Sequence, residues 1–259
     1  MNLGLTDKRI LISGGAKGIG RAIVDVVADE GGIPLILDRD QEHIEKTIAT
    51  LKSKGQQCYG AQVELTDHLA CQKAFDVLIE KAGRIDALVN NAGVNDNISL
   101  THGTHEQFLA SIHKNLVHYY SLAQLALPHL KAAKGAIVNI SSKVSVTGQG
   151  STSAYAAANG GRNALTREWA VELLPHGIRV NAVIVAECMT PLYESWIRSF
   201  DDPQARLQEI VSKIPLEHRM TKPAEIAQTV AFLLSEKSSH TTGQMIFVDG
   251  GYTHLDRAL

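Results

Sequence analysis

Short apolar runs alternate with longer amphipathic segments along this chain of 259 residues. Several of the runs are solidly apolar rather than polar at every second position, which is typical of strands in a parallel sheet that is covered on both faces. We therefore predict seven strands, at residues 9–13, 33–37, 57–63, 85–89, 136–140, 178–185 and 244–248.

The segments between these runs have the periodicity of helices. In the first of them, Ile19, Ile23, Val26 and Val27 recur every three or four positions and share one face. We predict helices at residues 18–30, 41–54, 67–82, about 104–131, 152–174 and 223–234, with Thr66 or Asp67 capping the third. Residues 191–214 are polar and helix-prone, and they interrupt the alternation before the last strand.

This order of elements predicts a doubly wound α/β (Rossmann) fold, because alternating strands and helices with right-handed crossovers build a parallel sheet. We expect a single seven-stranded parallel sheet flanked by helices on both faces. The length and the 44% hydrophobic content suit one domain over residues 1–259. We expect residues 191–214 to form a lid over the substrate, since variable segments often carry specificity.

Composition excludes several classes of partner. The formal net charge of -2 gives no attraction to nucleic acid or to an anionic membrane. The first residues reach charge without an apolar stretch, so we expect no signal peptide, and no apolar run is long enough to span a bilayer. The scattered Cys58, Cys71 and Cys188 predict reduced thiols in a cytoplasmic protein. The histidines form no metal-binding motif, so we predict no metal site.

Gly14, Gly18 and Gly20 lie between the first predicted strand and the first predicted helix. A turn of this kind lets backbone approach a pyrophosphate, and the helix N-terminus offers amide donors and the positive end of a dipole. Arg21 and Ala22 follow Gly20, so the lysine and hydroxyl pair of a nucleotide-hydrolysing P-loop is missing. The turn therefore predicts a dinucleotide site.

Asp38 closes the second predicted strand, eighteen residues after Gly20. A carboxylate there accepts hydrogen bonds from both ribose hydroxyls and repels a 2′-phosphate, which favours NAD over NADP as the cofactor. Lys17 and Arg39 are the counter-evidence, since they could offer such a phosphate positive charge.

Further motifs follow in a fixed order. Asn91-Ala92-Gly93 follows the fourth predicted strand, Asn115 lies in the long middle helix, and Tyr155 lies thirteen residues after Ser142. In this order and at these spacings, the chain resembles the short-chain dehydrogenase/reductase superfamily over essentially its whole length. Within that family, the segments at residues 91–96, 141–143, 146–150 and 186–193 are most similar to bacterial sugar dehydrogenases of the L-fucose dehydrogenase type.

The resemblance implies hydride transfer between a carbinol carbon and nicotinamide. Tyr155 would take the hydroxyl proton, Ser142 would hold the substrate oxygen, and Asn115 would anchor a water in a proton path. It also implies cofactor contacts, at Gly14, Lys17, Gly18, Ile19, Gly20, Asp38, Arg39, Glu64, Leu65, Asn91, Ala92, Gly93, Tyr155, Asn159, Val185 and Thr190.

Two positions depart from the family pattern. Asn159 lies one helical turn after Tyr155, on the same face, where the family has a lysine. By the resemblance, that lysine holds the nicotinamide ribose, favours the phenolate form of the tyrosine and extends the proton path. The amide of Asn159 can hydrogen-bond to a ribose, but it carries no charge. Val185 and Ala186 replace the usual Pro-Gly beside the nicotinamide, while Thr190 is retained.

The missing charge has a calculable effect. A unit charge about 5 Å from a phenol is worth roughly 3 kcal/mol at an effective dielectric constant near 20. This equals about two pH units of acidity, so we expect turnover at neutral pH to be lowered on the order of a hundredfold, with an alkaline optimum. Three explanations stay open: an engineered substitution, a natural divergence with Lys143 as the substitute cation, or a protein that binds NAD with little catalysis.

Asn95, Gln149, Glu187 and Tyr193 are candidate substrate contacts, because a sugar needs several donors and acceptors, whereas a steroid or acyl chain needs an apolar pocket. We expect a small-molecule substrate: an L-fucose-like hemiacetal or a secondary alcohol, with a carbonyl reductase of another substrate class as the alternative. The family commonly forms tetramers through its two long middle helices. Apolar positions in residues 115–130 and 154–173 permit this, so we expect a homo-tetramer or a homo-dimer.

Overall fold

The computed structural model describes residues 2–255. Within them, a seven-stranded sheet has the order β3-β2-β1-β4-β5-β6-β7, and every neighbouring pair is parallel. The strands are β1 (Arg9–Ser13), β2 (Ile33–Asp38), β3 (Tyr59–Gln62), β4 (Ala87–Asn90), β5 (Ala136–Ser142), β6 (Arg179–Val185) and β7 (Met245–Val248). The order reverses between β1 and β4, which opens a crevice at the carboxyl ends of these strands.

Helices cover both faces of the sheet, so the predicted doubly wound fold is confirmed. They are α1 (Gly18–Asp29), α2 (Gln41–Ser53), α3 (His68–Ala82), α4 (His105–Ile112), α5 (His118–Ala133), α6 (Ser153–Glu172), α7 (Pro191–Ile197), α8 (Pro203–Val211) and α9 (Pro223–Leu234). Asp67 caps α3 by accepting a hydrogen bond from the Ala70 amide, which decides between the two predicted caps.

Alternate strand residues supply two separate cores, as the pleat requires. Ile10 and Ile12 of β1 pack with α1 and α9 on one face, while Leu11 between them packs with α3, α5 and α6 on the other. All three side chains are fully buried. The sheet is therefore a rigid support for the loops that leave its carboxyl edge.

The predicted continuous helix at residues 104–131 is wrong in one respect. A π-helical turn, His113–Val117, separates α4 from α5. Such turns widen the backbone and frequently mark functional sites. Here the turn contains Asn115, whose Oδ1 accepts the Val94 amide at 2.8 Å and thereby ties the helix to the loop after β4.

The polar insertion at residues 191–214 contains two short helices, α7 and α8. The three cysteines are buried and unpaired. Among the described residues, no helix is both long enough and apolar enough to cross a bilayer. The first residue and the last four of the predicted domain lie outside the described part of the chain.

Candidate active site

The turn between β1 and α1 depends on its glycines. Gly14 has φ +66°, and a Cβ there would lie 3.0 Å from the Asn91 side-chain nitrogen. A Cβ on Gly20 would lie 2.0 Å from the Gly14 carbonyl oxygen, so Gly20 serves the packing of the helix against the turn. Lys17 occupies the N-cap of α1 without a capping side-chain bond. Backbone amides at this helix end are thus available to an anion, which fits a dinucleotide pyrophosphate.

Asp38 lies at the end of β2, beside this turn. Its Oδ2 accepts the Ala16 amide at 3.0 Å and its Oδ1 accepts the Asp40 amide at 3.1 Å, which fixes the carboxylate at the mouth of the crevice. The Lys17 ammonium lies 2.6 Å from Asp40 Oδ2. Lys17, followed by His43, holds the pKa of Asp40 well below its usual range. Arg39 is exposed.

The loop after β4 forms the opposite wall. The Asn91 side-chain amide donates to the carbonyl oxygens of Ser13 and Gly14, at 3.0 and 3.1 Å, and so joins the ends of β4 and β1. A Cβ on Gly93 would lie 2.8 Å from Arg162 Nη2. Close packing against Arg162 therefore explains the glycine at position 93.

These walls enclose one cavity of about 1030 Å³, at the upper end of the range for small-molecule sites. Most of the predicted site residues line it, namely Gly14, Lys17, Gly18, Ile19, Asp38, Arg39, Glu64, Leu65, Asn91, Ala92, Gly93, Asn95, Ser142, Gln149, Tyr155, Val185, Glu187, Thr190 and Tyr193. Gly20, Asn115 and Asn159 are not among the lining residues.

Ser142 and Tyr155 open into this cavity from neighbouring elements. Ser142 is the last residue of β5, and Tyr155 lies in the first turn of α6. Both are partly exposed. A hydroxyl and a phenol thus face the same space as the nucleotide cradle, an arrangement that can hold an alcohol oxygen and accept its proton.

Asn115 and Asn159 lie behind the cavity wall, and both are fully buried. The Asn159 amide nitrogen donates to the Tyr155 carbonyl at 2.8 Å, and its Oδ1 accepts from Arg162 at 3.1 Å. Both amide atoms of Asn159 are therefore bonded to the protein. Arg162 was not predicted from the sequence, although its spacing from Tyr155 places it on the same helix face.

The end of the cavity lined by Ser142, Glu187 and Tyr193 contains a buried ion pair that the sequence did not predict as such. The Lys143 ammonium pairs with Glu187 Oε1, and their side chains are 8% and 13% exposed. The Tyr193 hydroxyl donates to Glu187 Oε2 at 2.6 Å, and burial followed by the Glu187 charge raises the pKa of Tyr193. Lys143 Nζ lies 4.0 Å from the centre of the Tyr252 ring. The charge of Lys143 is thus engaged by the Glu187 carboxylate and the Tyr252 ring.

Helix α7 closes this end from above. Thr190 caps it by accepting the Tyr193 amide at 3.2 Å. Tyr193 and Trp196 pack edge to face with ring centres 5.1 Å apart. Trp196 also lines the cavity, with Arg206 of α8 beside its ring at 5.7 Å. Residues of both α7 and α8, in the segment predicted as a lid, therefore line the cavity.

Comparison with known proteins agrees with this geometry. A family profile described as enoyl-(acyl carrier protein) reductase matches residues 14–253. The 3-oxoacyl-[acyl-carrier-protein] reductase FabG of Thermotoga maritima is 35% identical, with 95% of this chain and 98% of that protein covered. The L-fucose dehydrogenase of Mus musculus is 34% identical, with 94% and 88% covered.

The crystal structure of Cj0485 dehydrogenase superposes with a TM-score of 0.95 at 44% identity, covering 100% of this chain and 99% of that one. A family profile and relatives that span nearly the full length leave no doubt about the assignment. This chain belongs to the short-chain dehydrogenase/reductase family, whose members are oxidoreductases that use nicotinamide cofactors.

Proposed function

We propose that this protein oxidises a sugar hemiacetal of the L-fucose type, or a similar secondary alcohol, with NAD as the hydride acceptor. One observation carries the proposal: Ser142 and Tyr155 line the same cavity as the glycine turn and Asp38. The proposed reacting groups and the proposed nucleotide-binding turn therefore line the same cavity. The mouse relative named L-fucose dehydrogenase supports the choice of a sugar.

The chain's own residues account for the proton and the oxygen. A bound nicotinamide would supply the acceptor for the hydride that leaves the carbinol carbon. The Ser142 hydroxyl holds the substrate oxygen and stabilises its developing negative charge. The Tyr155 phenolate takes the hydroxyl proton. The substrate loses a hydride from carbon and a proton from oxygen, so a hemiacetal oxidised at the anomeric carbon becomes a lactone.

The polar residues at one end of the cavity support a sugar over an apolar substrate. Glu187 and Tyr193 line the cavity together with Lys143, which directly follows Ser142. These groups bond to one another and still have donor and acceptor capacity that sugar hydroxyls can use, whereas an acyl chain or a steroid would set apolar carbon against them.

The preference for NAD rests on two charges. Asp38 presents a carboxylate where the adenosine ribose of a dinucleotide lies in this fold, and it repels a 2′-phosphate. Lys17 could offset that repulsion, but its ammonium is paired with Asp40. The pair therefore engages one of the two cations, Lys17 and Arg39, that could bind the 2′-phosphate of NADP.

Releasing Lys17 should improve the use of NADP. In Asp40→Ala, we expect kcat/KM with NADP to rise about fivefold, near the upper limit for an exposed ion pair, while kcat/KM with NAD changes little. Asp25→Ala is the matched control, because it removes the carboxylate that pairs with Arg21 on α1. An NADP value that stays level or falls in Asp40→Ala would contradict this explanation of the preference.

The proposed function is tested with a substrate panel. The protein is offered NAD or NADP together with L-fucose, other aldoses, a polyol, a steroid alcohol and a 3-hydroxyacyl thioester, and formation of reduced cofactor is followed by absorbance. We expect the highest kcat/KM with NAD and an L-fucose-like aldose. No reaction with any sugar, together with turnover of the thioester or steroid, would refute the proposal.

A 3-oxoacyl reductase is the second candidate. The Thermotoga relative carries that name. In addition, Leu192 and Trp196 line the cavity and are 62% and 40% exposed, so they offer an acyl chain an apolar contact. Reduction of an acetoacetyl thioester by NADPH, without oxidation of sugars by NAD, would favour this candidate.

A further inference from the structure

A buried cation lies behind the proposed base. Arg162 is on α6, three residues after Asn159 and seven after Tyr155, and it is 2% exposed. Residues at these intervals share one face of a helix. Arg162 Nη1 donates to Asn159 Oδ1 at 3.1 Å, and Asn159 Nδ2 donates to the Tyr155 carbonyl at 2.8 Å. Two hydrogen bonds therefore connect the guanidinium to the backbone of the base.

The other donors of Arg162 hold the π-helical turn. Its Nε donates to the Asn115 carbonyl oxygen at 2.8 Å, and its Nη2 donates to the same oxygen at 2.5 Å. Gly161 allows this approach, since a Cβ there would lie 2.7 Å from Leu116 Cδ2. Among the family features implied by the sequence, Asn115 anchors a water in a proton path. In this structure the Asn115 carbonyl oxygen already accepts two hydrogen bonds from the Arg162 guanidinium.

The charge of Arg162 has no counter-ion in the described part of the chain. Its hydrogen-bond partners are amide and carbonyl oxygens, and no carboxylate of residues 2–255 forms an ion pair with it. Lys143, the other buried cation on the cavity wall, is paired with Glu187. A buried and uncompensated positive charge favours any negative charge that forms nearby.

Neighbouring titratable groups already respond to this charge. On α5, burial raises the pKa of Tyr119, Arg162 opposes that rise, and Tyr155 adds to it, so Arg162 and Tyr155 both lie within electrostatic reach of Tyr119. Burial, followed by the Arg162 charge, lowers the pKa of His118 to about 3. The charged pairs at this wall are Lys143 with Glu187 and Lys114 with Asp96. At neutral pH, His118 is therefore uncharged, and Arg162, whose guanidinium lies 4.3 Å from the centre of the Tyr119 ring, is a buried cation without a carboxylate partner.

We propose that Arg162 is a positioning residue that supplies, from one turn further along α6, the positive charge that the family places at position 159. In this arrangement Asn159 connects the guanidinium to the Tyr155 backbone, and Arg162 stabilises the phenolate across the cavity wall. The proposal rests on the proposed function only for the identity of the substrate. It also removes the reason to expect slow turnover at neutral pH.

The proposal reverses the expected effect of Asn159→Lys. In Asn159→Lys, an ammonium replaces the amide oxygen that accepts a hydrogen bond from Arg162, so two cations repel each other. The single variant should therefore unfold at a lower temperature and lose activity. In Asn159→Lys/Arg162→Met, one cation remains, in the family's position. We expect this double variant to recover most of the wild-type kcat/KM at pH 7.

The decisive set is wild type, Arg162→Met, Arg162→Lys, Asn159→Lys and the double variant. In Arg162→Met we expect kcat/KM at pH 7 to fall by about tenfold or more, with the deficit closing above about pH 9, and Arg162→Lys to retain more activity. Wild-type activity in Arg162→Met across the pH range, or a double variant as slow as Arg162→Met, would overturn the proposal.

A substrate-independent signal separates this proposal from the proposed function. The phenolate absorbance of Tyr155 is the difference between the protein and its Tyr155→Phe variant during a pH titration. In the wild type it should develop at lower pH than in Arg162→Met. A wild-type signal that develops only above about pH 10, the ordinary range of tyrosine, overturns the Arg162 proposal even if Arg162→Met fails to fold. A sugar panel without turnover contradicts the proposed function alone.

Discussion

Tyr155→Phe should lower kcat for the preferred sugar by about a thousandfold, within the range typical of removing a general base. The substitution deletes one oxygen and keeps the ring, so thermal stability and NADH binding should change little. Steady-state rates and NADH fluorescence measure the two effects separately.

Tyr120→Phe is the matched control, because it makes the same chemical change at a residue of α5 that is 53% exposed. Its kcat should equal that of the wild type. Ser142→Ala should lose activity as well, and Ser142→Ala/Tyr155→Phe should be little slower than Tyr155→Phe, because residues that act on one oxygen are not additive. A Tyr155→Phe enzyme that retains a large share of wild-type kcat would exclude Tyr155 as the base.

Lys143→Met should have the second largest effect, on stability and on substrate affinity together. It leaves Glu187 buried without its cation, and breaking a buried pair in this way costs about 3–5 kcal/mol of the free energy of unfolding. The KM for the sugar should rise because the Glu187 carboxylate and the Tyr193 hydroxyl lose their fixed geometry. Chemical denaturation and sugar titration measure these changes.

Lys213→Met is the control for stability, since Lys213 pairs with Glu209 at an exposed site where the side chains are 52% and 50% accessible. There the loss should stay below about 1 kcal/mol. Lys143→Met/Glu187→Met should recover part of the stability, because no buried charge is left without a partner. Equal losses in Lys143→Met and Lys213→Met would show that the buried pair has no special role.

The sheet could be predicted from the sequence because several of its strands are solidly apolar, as both faces are covered. Asp38, Ser142 and Val185 end β2, β5 and β6, so the parallel order alone brings them to one edge. The π-helical turn at Asn115 could not be predicted in this way, because apolar periodicity continues through residues 104–131 and tertiary contacts to Val94 and Arg162 hold the turn.

The two buried cations, Lys143 and Arg162, show why their partners could not be predicted from the sequence. Lys143 follows Ser142 and looks like a loop residue until Glu187, forty-four positions later, is seen to pair with it. Arg162 gave a usable signal, since it lies on the same face as Tyr155 and Asn159 in a segment rich in alanine and glycine. A lone charge on a face that must be buried indicates a specific partner. Its partners, the Asn115 and Ile140 carbonyls, come from other elements.

The role of Asn159 changes accordingly. From the sequence alone, it is a lysine site that has lost its charge. In the structure, its amide is bonded at both ends, to the Tyr155 carbonyl and to Arg162. The residue fits its surroundings as an asparagine, and we propose Arg162 rather than Lys143 as the substitute cation.

The most direct test of the proposed reaction is the formation of NADH from NAD and L-fucose at neutral pH, measured with the wild type and with Tyr155→Phe at equal protein concentration. We predict a steady rate with the wild type and a rate about a thousandfold lower with Tyr155→Phe. Equal rates in the two proteins, or no NADH from L-fucose or any related aldose with the wild type, would contradict the account.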